Sequence, residues 1–177
     1  GMAAPSTCPP GTYSERASAS CSDCPAGTWS APGSPSCTSC GVGEYSISRA
    51  SECTLCAAGT ATDSTGSSSC SACEAGYYQS NSGSTSCDVA TNGTYTAATG
   101  MTALSTCLPG TYSERASASC SDCPAGTWSA AGSASCTSCG VGEYSSSRAS
   151  ACSLCEEGEF AADRGNSNCD KCSTELG

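Results

Sequence analysis

Cys24-Pro25-Ala26-Gly27-Thr28-Trp29-Ser30 lies between two Cys-x-x-Cys pairs, Cys21/Cys24 and Cys37/Cys40, and its frame returns along the whole chain. Cys-x-x-Gly-x-aromatic-Ser opens again at Cys8, Cys40, Cys107, Cys123 and Cys139, with looser copies at Cys56, Cys73 and Cys155. Those nine copies in 177 residues make the chain an array of one small module. The glycine allows a positive φ, so the backbone turns back directly after each opening cysteine. Two residues beyond it stands an aromatic: Tyr13, Trp29, Tyr45, Tyr78, Tyr112, Trp128, Tyr144 and Phe160. It is the one large side chain that most modules own, and it is expected to lie over a neighbouring disulfide, giving each module a core of one ring and one bridge. Ala61 takes that place in the Cys56 copy, which is expected to be the loosest.

The cysteine spacing carries a pairing. In the first block the pairs are Cys21/Cys24, Cys37/Cys40, Cys53/Cys56 and Cys70/Cys73, with a lone Cys8 before them and a lone Cys87 after. The second block repeats them at Cys120/Cys123, Cys136/Cys139, Cys152/Cys155 and Cys169/Cys172, opened by a lone Cys107. If each module is closed by the first cysteine of the next pair, the first block gives Cys8–Cys21, Cys24–Cys37, Cys40–Cys53, Cys56–Cys70 and Cys73–Cys87. The second gives Cys107–Cys120, Cys123–Cys136, Cys139–Cys152 and Cys155–Cys169, and leaves Cys172 unpaired. An interleaved scheme uses the same cysteines, and spacing alone does not choose between the two. Each bridge is worth about 3 kcal/mol by the entropy it removes from the unfolded chain.

A longer period overlies the short one. From Cys8 to Cys56 the chain matches Cys107 to Cys155 at all but six of 49 positions, an offset of 107 − 8 = 99 residues. Gly1-Met2 likewise has a counterpart in Gly100-Met101. The expected organisation is a first array over 1–87 with five modules, a cysteine-free Thr-rich stretch over 88–106, and a second array over 107–177 with four modules and a truncated fifth. The middle stretch reads either as a flexible linker or as an extended strand that docks on a neighbouring chain. A partner for Cys172 would fall at 87 + 99 = 186, nine residues beyond Gly177, so the chain is expected to be a segment of a longer repetitive polypeptide.

Composition sets the class. Leu, Ile, Val and Phe together number ten, too few to bury the apolar surface that offsets ordering entropy. Order must come from the 19 cysteines, a density that marks a stapled scaffold of an oxidising compartment, outside the cell or on its surface. The net charge of −10, with no histidine, repels phosphate backbones and anionic lipid, which argues against nucleic acid and membrane-surface partners. No apolar run is long enough to insert into a membrane. Asn92-Gly93-Thr94 is a sequon for N-linked sugar, and dense Ser and Thr with Pro also allow O-linked sugar, on a chain otherwise read as free of cofactor and metal.

Zinc ribbons also repeat Cys-x-x-Cys, but the lone Cys8, Cys87 and Cys107 fit no four-cysteine site and complete an even disulfide ladder instead. Ser-His-Asp and Cys-His catalysis are ruled out by the lack of histidine. Acidic pairs such as Glu156-Glu157 need a cleft that a chain of thin modules does not provide. The chain reads as a non-enzyme.

The frame Cys-Pro-x-Gly-Thr-(Tyr/Trp)-Ser…Ser-x-Ser-Cys-x-x-Cys resembles the ephrin-receptor-like cysteine-rich repeat and, more distantly, the first half of a TNF-receptor module. The likeness spans nearly the whole chain except 88–106 and is closest over Cys24–Cys40. It implies an elongated, disulfide-laddered scaffold of ectodomains and secreted surface proteins, with no catalytic residue. The fold class expected is therefore small disulfide-rich repeats, a rod of β-hairpin and turn modules of about 16 residues with almost no helix and no conventional hydrophobic core. The function expected is an extracellular structural protein that self-associates into a filament, coat or stalk. The alternative is a receptor-like ectodomain presenting a surface to a protein ligand.

Overall fold

The computed structural model describes residues 7–16 and 18–172. The Gly1-Met2 opening and the Ser173–Leu176 part of the truncated module lie outside them. Twenty two-residue strands, β1 (Thr12–Tyr13) to β20 (Asp170–Lys171), pair consecutively into ten two-stranded sheets, and no helix occurs among the described residues. Turn-forming Gly, Pro and Ser throughout, and bridges that each close a span of 13 or 14 residues in all modules but the one over 90–106, oppose winding.

The Cys24 module shows how each unit closes. Gly27, at φ 85°, sits third in a β-turn in which the Thr28 amide and hydroxyl both donate to the Pro25 carbonyl, at 3.1 and 2.8 Å. Thr28–Trp29 then pairs antiparallel with Thr38–Ser39, Thr28 opposite Ser39 and Trp29 opposite Thr38. The Cys40 amide finishes the module by donating to the Gly27 carbonyl at 2.9 Å.

Modules stack through their backbones. The Gly27 amide donates to Ser46 (2.8 Å), the Ser30 amide to Ala50 (3.2 Å) and the Arg49 amide to Cys24 (2.9 Å), all three joining the Cys24 and Cys40 modules. The stack also reaches one module further. A methyl built on Gly27 would overlap the carbonyl of Gly66, which belongs to the next module but one. Gly11 meets the Arg49 carbonyl in the same way, Gly93 that of Gly132, and Gly110 that of Arg148. In a one-dimensional array of this kind each module is expected to touch only its neighbours, and here the absence of bulky side chains lets next-but-one backbones meet as well.

Small residues make the core. The opening position of every module from Cys8 to Cys139 is buried, and the largest fully buried side chain is Thr96. The rings expected at the module centres are half-buried at their edges, and Phe160 is 43% exposed. Ala61 is buried in its own right. Burial of this kind, dominated by sulfur, methyl and hydroxyl groups, is what the shortage of large aliphatics requires.

Contacts divide the described residues into two compact units. One holds the chain up to Glu74 with Tyr78–Asp88 and Thr99–Thr102; the other holds Ala75–Tyr77, Val89–Ala98 and the chain from Ala103 on. Within the first, the Cys8, Cys24, Cys40 and Cys56 modules stack as described above. Within the second, the Cys107, Cys123, Cys139 and Cys155 modules repeat the arrangement with matching hydrogen bonds, such as Gly126 to Ser145 at 2.8 Å.

Residues 88–106 depart from expectation: they form neither a linker nor a strand free to dock on another chain. Asp88–Val89 completes the Cys73 hairpin, and Thr94–Tyr95 (β11) pairs with Ser105–Thr106 (β12) in a hairpin of its own. Ala90-Thr91-Asn92-Gly93-Thr94-Tyr95-Thr96 is the module frame with alanine in the cysteine's place. Ala90 is fully buried, Gly93 has φ 77°, and Leu104 occupies the closing position, half-buried. The 99-residue period therefore contains six modules with opening positions 8, 24, 40, 56, 73 and 90, three steps of 16 and three of 17.

Candidate functional site

The structure joins Cys8 to Cys21, Cys24 to Cys37, Cys40 to Cys53, Cys56 to Cys70 and Cys73 to Cys87. It also joins Cys107 to Cys120, Cys123 to Cys136, Cys139 to Cys152 and Cys155 to Cys169, the Cα atoms of all nine pairs lying 5.6 to 5.8 Å apart. From Cys8 to Cys139 the opening cysteine is buried while its closing partner is half-buried or exposed. Each bridge thus ties the inner column to an outer strand. A disulfide sulfur is no thiolate, so these cysteines offer no zinc ligand, and no group of three or more metal-ligating side chains occurs among the described residues.

Cys172 is exposed and has no partner among the described residues. Its amide donates to the Gly158 carbonyl at 2.8 Å, the bond that every opening position from Cys24 to Cys155 makes, so it stands where the next module would begin.

Tyr13, Trp29, Tyr45, Tyr78, Tyr112, Trp128 and Tyr144 are all half-buried. Tyr45 shares the wall of a hollow with Cys70, and Tyr95 with Cys120, so each of these two rings stands beside the closing cysteine of the following module. The Tyr95 hollow, about 240 Å³, is also lined by Leu108 and by the ion pair Asp122–Arg148. It is smaller than the usual small-molecule site. Arg148–Asp122 and its counterpart Arg49–Asp23 both measure 3.2 Å with side chains more than half exposed, and each contributes under about 1 kcal/mol.

A column of buried hydroxyls also joins the modules, and it was hidden in the last letter of the frame. Ser30 donates to the Thr12 carbonyl, Ser46 to Thr28, Thr96 to Tyr77, Ser113 to Thr94, Ser129 to Thr111 and Ser145 to Thr127, at 2.9 to 3.1 Å. Each acceptor belongs to the preceding module. The column is interrupted where Thr62 turns to Ser67, where Gln79 turns to the Ser86 carbonyl, and at Ala161, which has no hydroxyl. A repeated Ser after each aromatic was the signal; its partner, a main-chain carbonyl in another module, is invisible in sequence.

Residues 64–107 and 110–150 match the family described as tyrosine-protein kinase ephrin type A/B receptor-like. Over those residues the chain is similar to the ephrin-receptor-like repeat. The first match runs straight through the cysteine-free Ala90 module, which the likeness drawn from cysteine spacing had left out, and the second covers Cys123–Cys139, the near-copy of Cys24–Cys40. No curated protein matches the chain. Ephrin-receptor-like repeats and nine bridges together characterise an extracellular, disulfide-rich domain. No helix of the described residues is long and apolar enough to cross a membrane.

Proposed function

We propose that this chain is a mechanical segment of an extracellular filament, coat or stalk, non-catalytic and self-associating. The observation that carries this reading is the repetition of the surface along with the core. The Asp23–Arg49 and Asp122–Arg148 pairs, 99 residues apart, have the same geometry, and the backbone stacking bonds recur module by module. A surface that repeats suits contacts that repeat, and a heterologous contact that does not close builds a fibre. Electron microscopy of the secreted protein, before and after reduction, tests the reading. Filaments with an axial period that soften on reduction support it; single particles at every concentration overturn it.

A receptor-like role is the second reading, favoured by the family match and by two apolar residues that differ between the copies. Ile47 is 70% exposed where the second copy has Ser146, and Leu108 is 70% exposed where the first has Pro9. Copy-specific apolar residues are what a unique binding patch needs. Ile47→Ser and Leu108→Pro would leave filaments intact under the first reading and abolish capture of a protein ligand under the second.

A further inference from the structure

We propose that Asn92 carries an N-linked glycan, and that the missing bridge of its own module is what opens it to the transferase; the proposal rests on the extracellular reading above. Asn92 is exposed at the second position of the turn Thr91–Thr94. In the folded module the rest of the sequon is locked. The Thr94 hydroxyl donates to the Thr91 carbonyl at 2.7 Å, the Gly93 amide donates to Ser113 at 2.9 Å, and Gly93 is pressed by the carbonyl of Gly132. Sugar transfer needs an extended sequon with a free hydroxyl, so it must precede that locking. Two of the three locking partners lie far downstream, 113 − 93 = 20 and 132 − 93 = 39 residues on.

In every other described module a disulfide closes the loop over 13 or 14 residues. With Ala90 and Leu104 in those places, the sequon's hairpin is held by hydrogen bonds alone, and residues 113 and 132, which pack on Gly93, are made later. The co-reactant is an oligosaccharide on a polyisoprenyl pyrophosphate. Asn92 Nδ2 forms a bond to the sugar's anomeric carbon, the bond from that carbon to the pyrophosphate oxygen breaks, and the lipid pyrophosphate departs. One amide proton leaves through a base of the transferase, and no oxidation state changes. The finished sugar covers the one described module that has no covalent closure.

The test is secretion of the full chain from eukaryotic cells, followed by peptide-N-glycosidase in heavy-oxygen water and mass spectrometry of the Asn92 peptide. Labelled conversion of Asn92 to Asp in most of the protein is expected, retained in Thr94→Ser and lost in both Asn92→Gln and Thr94→Ala. Paired Ala90→Cys and Leu104→Cys should lower occupancy several-fold. Secreted, fully bridged protein with an unlabelled Asn92 overturns the proposal while leaving the extracellular reading standing. Undiminished occupancy in the paired variant overturns the role of the missing bridge. A chain retained in the cell with reduced cysteines overturns both readings together.

Discussion

The Ala90 and Cys107 modules are neighbours built on one plan, and only the second is closed by sulfur. Their first turns match, Thr94 to Thr91 at 3.0 Å and Thr111 to Leu108 at 3.1 Å. Their hairpins match, Tyr95 opposite Ser105 and Tyr112 opposite Ser121. Their onward bonds match as well, Gly93 to Ser113 and Gly110 to Ser129, both at 2.9 Å. The module's geometry is therefore set by the turn, by the glycine under a distant carbonyl and by stacking bonds. The bridge contributes stability, chiefly by restricting the unfolded chain.

The strongest way to break the comparison is at the shared glycine. Gly93→Ala and Gly110→Ala each drive a methyl into a carbonyl, from Gly132 and Arg148, at a φ that L residues resist. Each is expected to cost about 3 kcal/mol or more, because the obstacle is backbone and cannot rotate away. Hydrogen exchange should show the Ala90 module opening completely in the first variant, while Cys107–Cys120 keeps its loop closed in the second. Equal protection in both would mean that the bridge has no local effect.

Exchanging the closures comes next. Cys107→Ala with Cys120→Leu should cost about 3 kcal/mol and keep the hairpin; Ala90→Cys with Leu104→Cys should gain a similar amount, both read from denaturant midpoints. Loss of strand pairing in the first pair would show that sulfur shapes the module as well as stabilising it.

Smaller effects sharpen the picture. Thr96→Val keeps the volume and removes the donor to the Tyr77 carbonyl, and should cost about 1 kcal/mol by thermal unfolding. Arg148→Gly should change stability by less than about 1 kcal/mol. It loses an exposed ion pair and relieves a residue held at φ 61°, two terms of similar size and opposite sign.

The fold was legible wherever it was written in short-range spacing. A cysteine 13 or 14 residues after another, with Gly and an aromatic between, points to a closed hairpin, and the even ladder offers the order of bridges that the structure shows, although spacing alone leaves an interleaved order open. The Ala90 module escaped because cysteine served as its marker, although Gly93-Thr94-Tyr95 repeats Gly11-Thr12-Tyr13 letter for letter. What lies beyond sequence is the meeting of Gly27 with the Gly66 carbonyl. That contact depends on how two intervening turns place a main-chain atom, and main-chain atoms leave no residue signature. The same holds for the acceptors of the buried hydroxyls. Of the candidate site, the sequon and the cysteines could be named in advance, whereas the contacts of Ser113 and Gly132 with Gly93 needed the stack.

The glycine seat has a consequence for how such a chain changes length. Each seat from Gly11 to Gly126 is filled by backbone from two modules on, and Arg49, Gly66, Ala116 and Gly132 all serve through the same carbonyl. A gene that gains or loses a whole module brings some equivalent carbonyl to every seat within the stack, whatever its side chain. A gain or loss of part of a module leaves a seat facing the wrong atom. Changes in length that keep the seats filled are thereby expected in whole modules of 16 or 17 residues, and the 99-residue repeat is six such modules together.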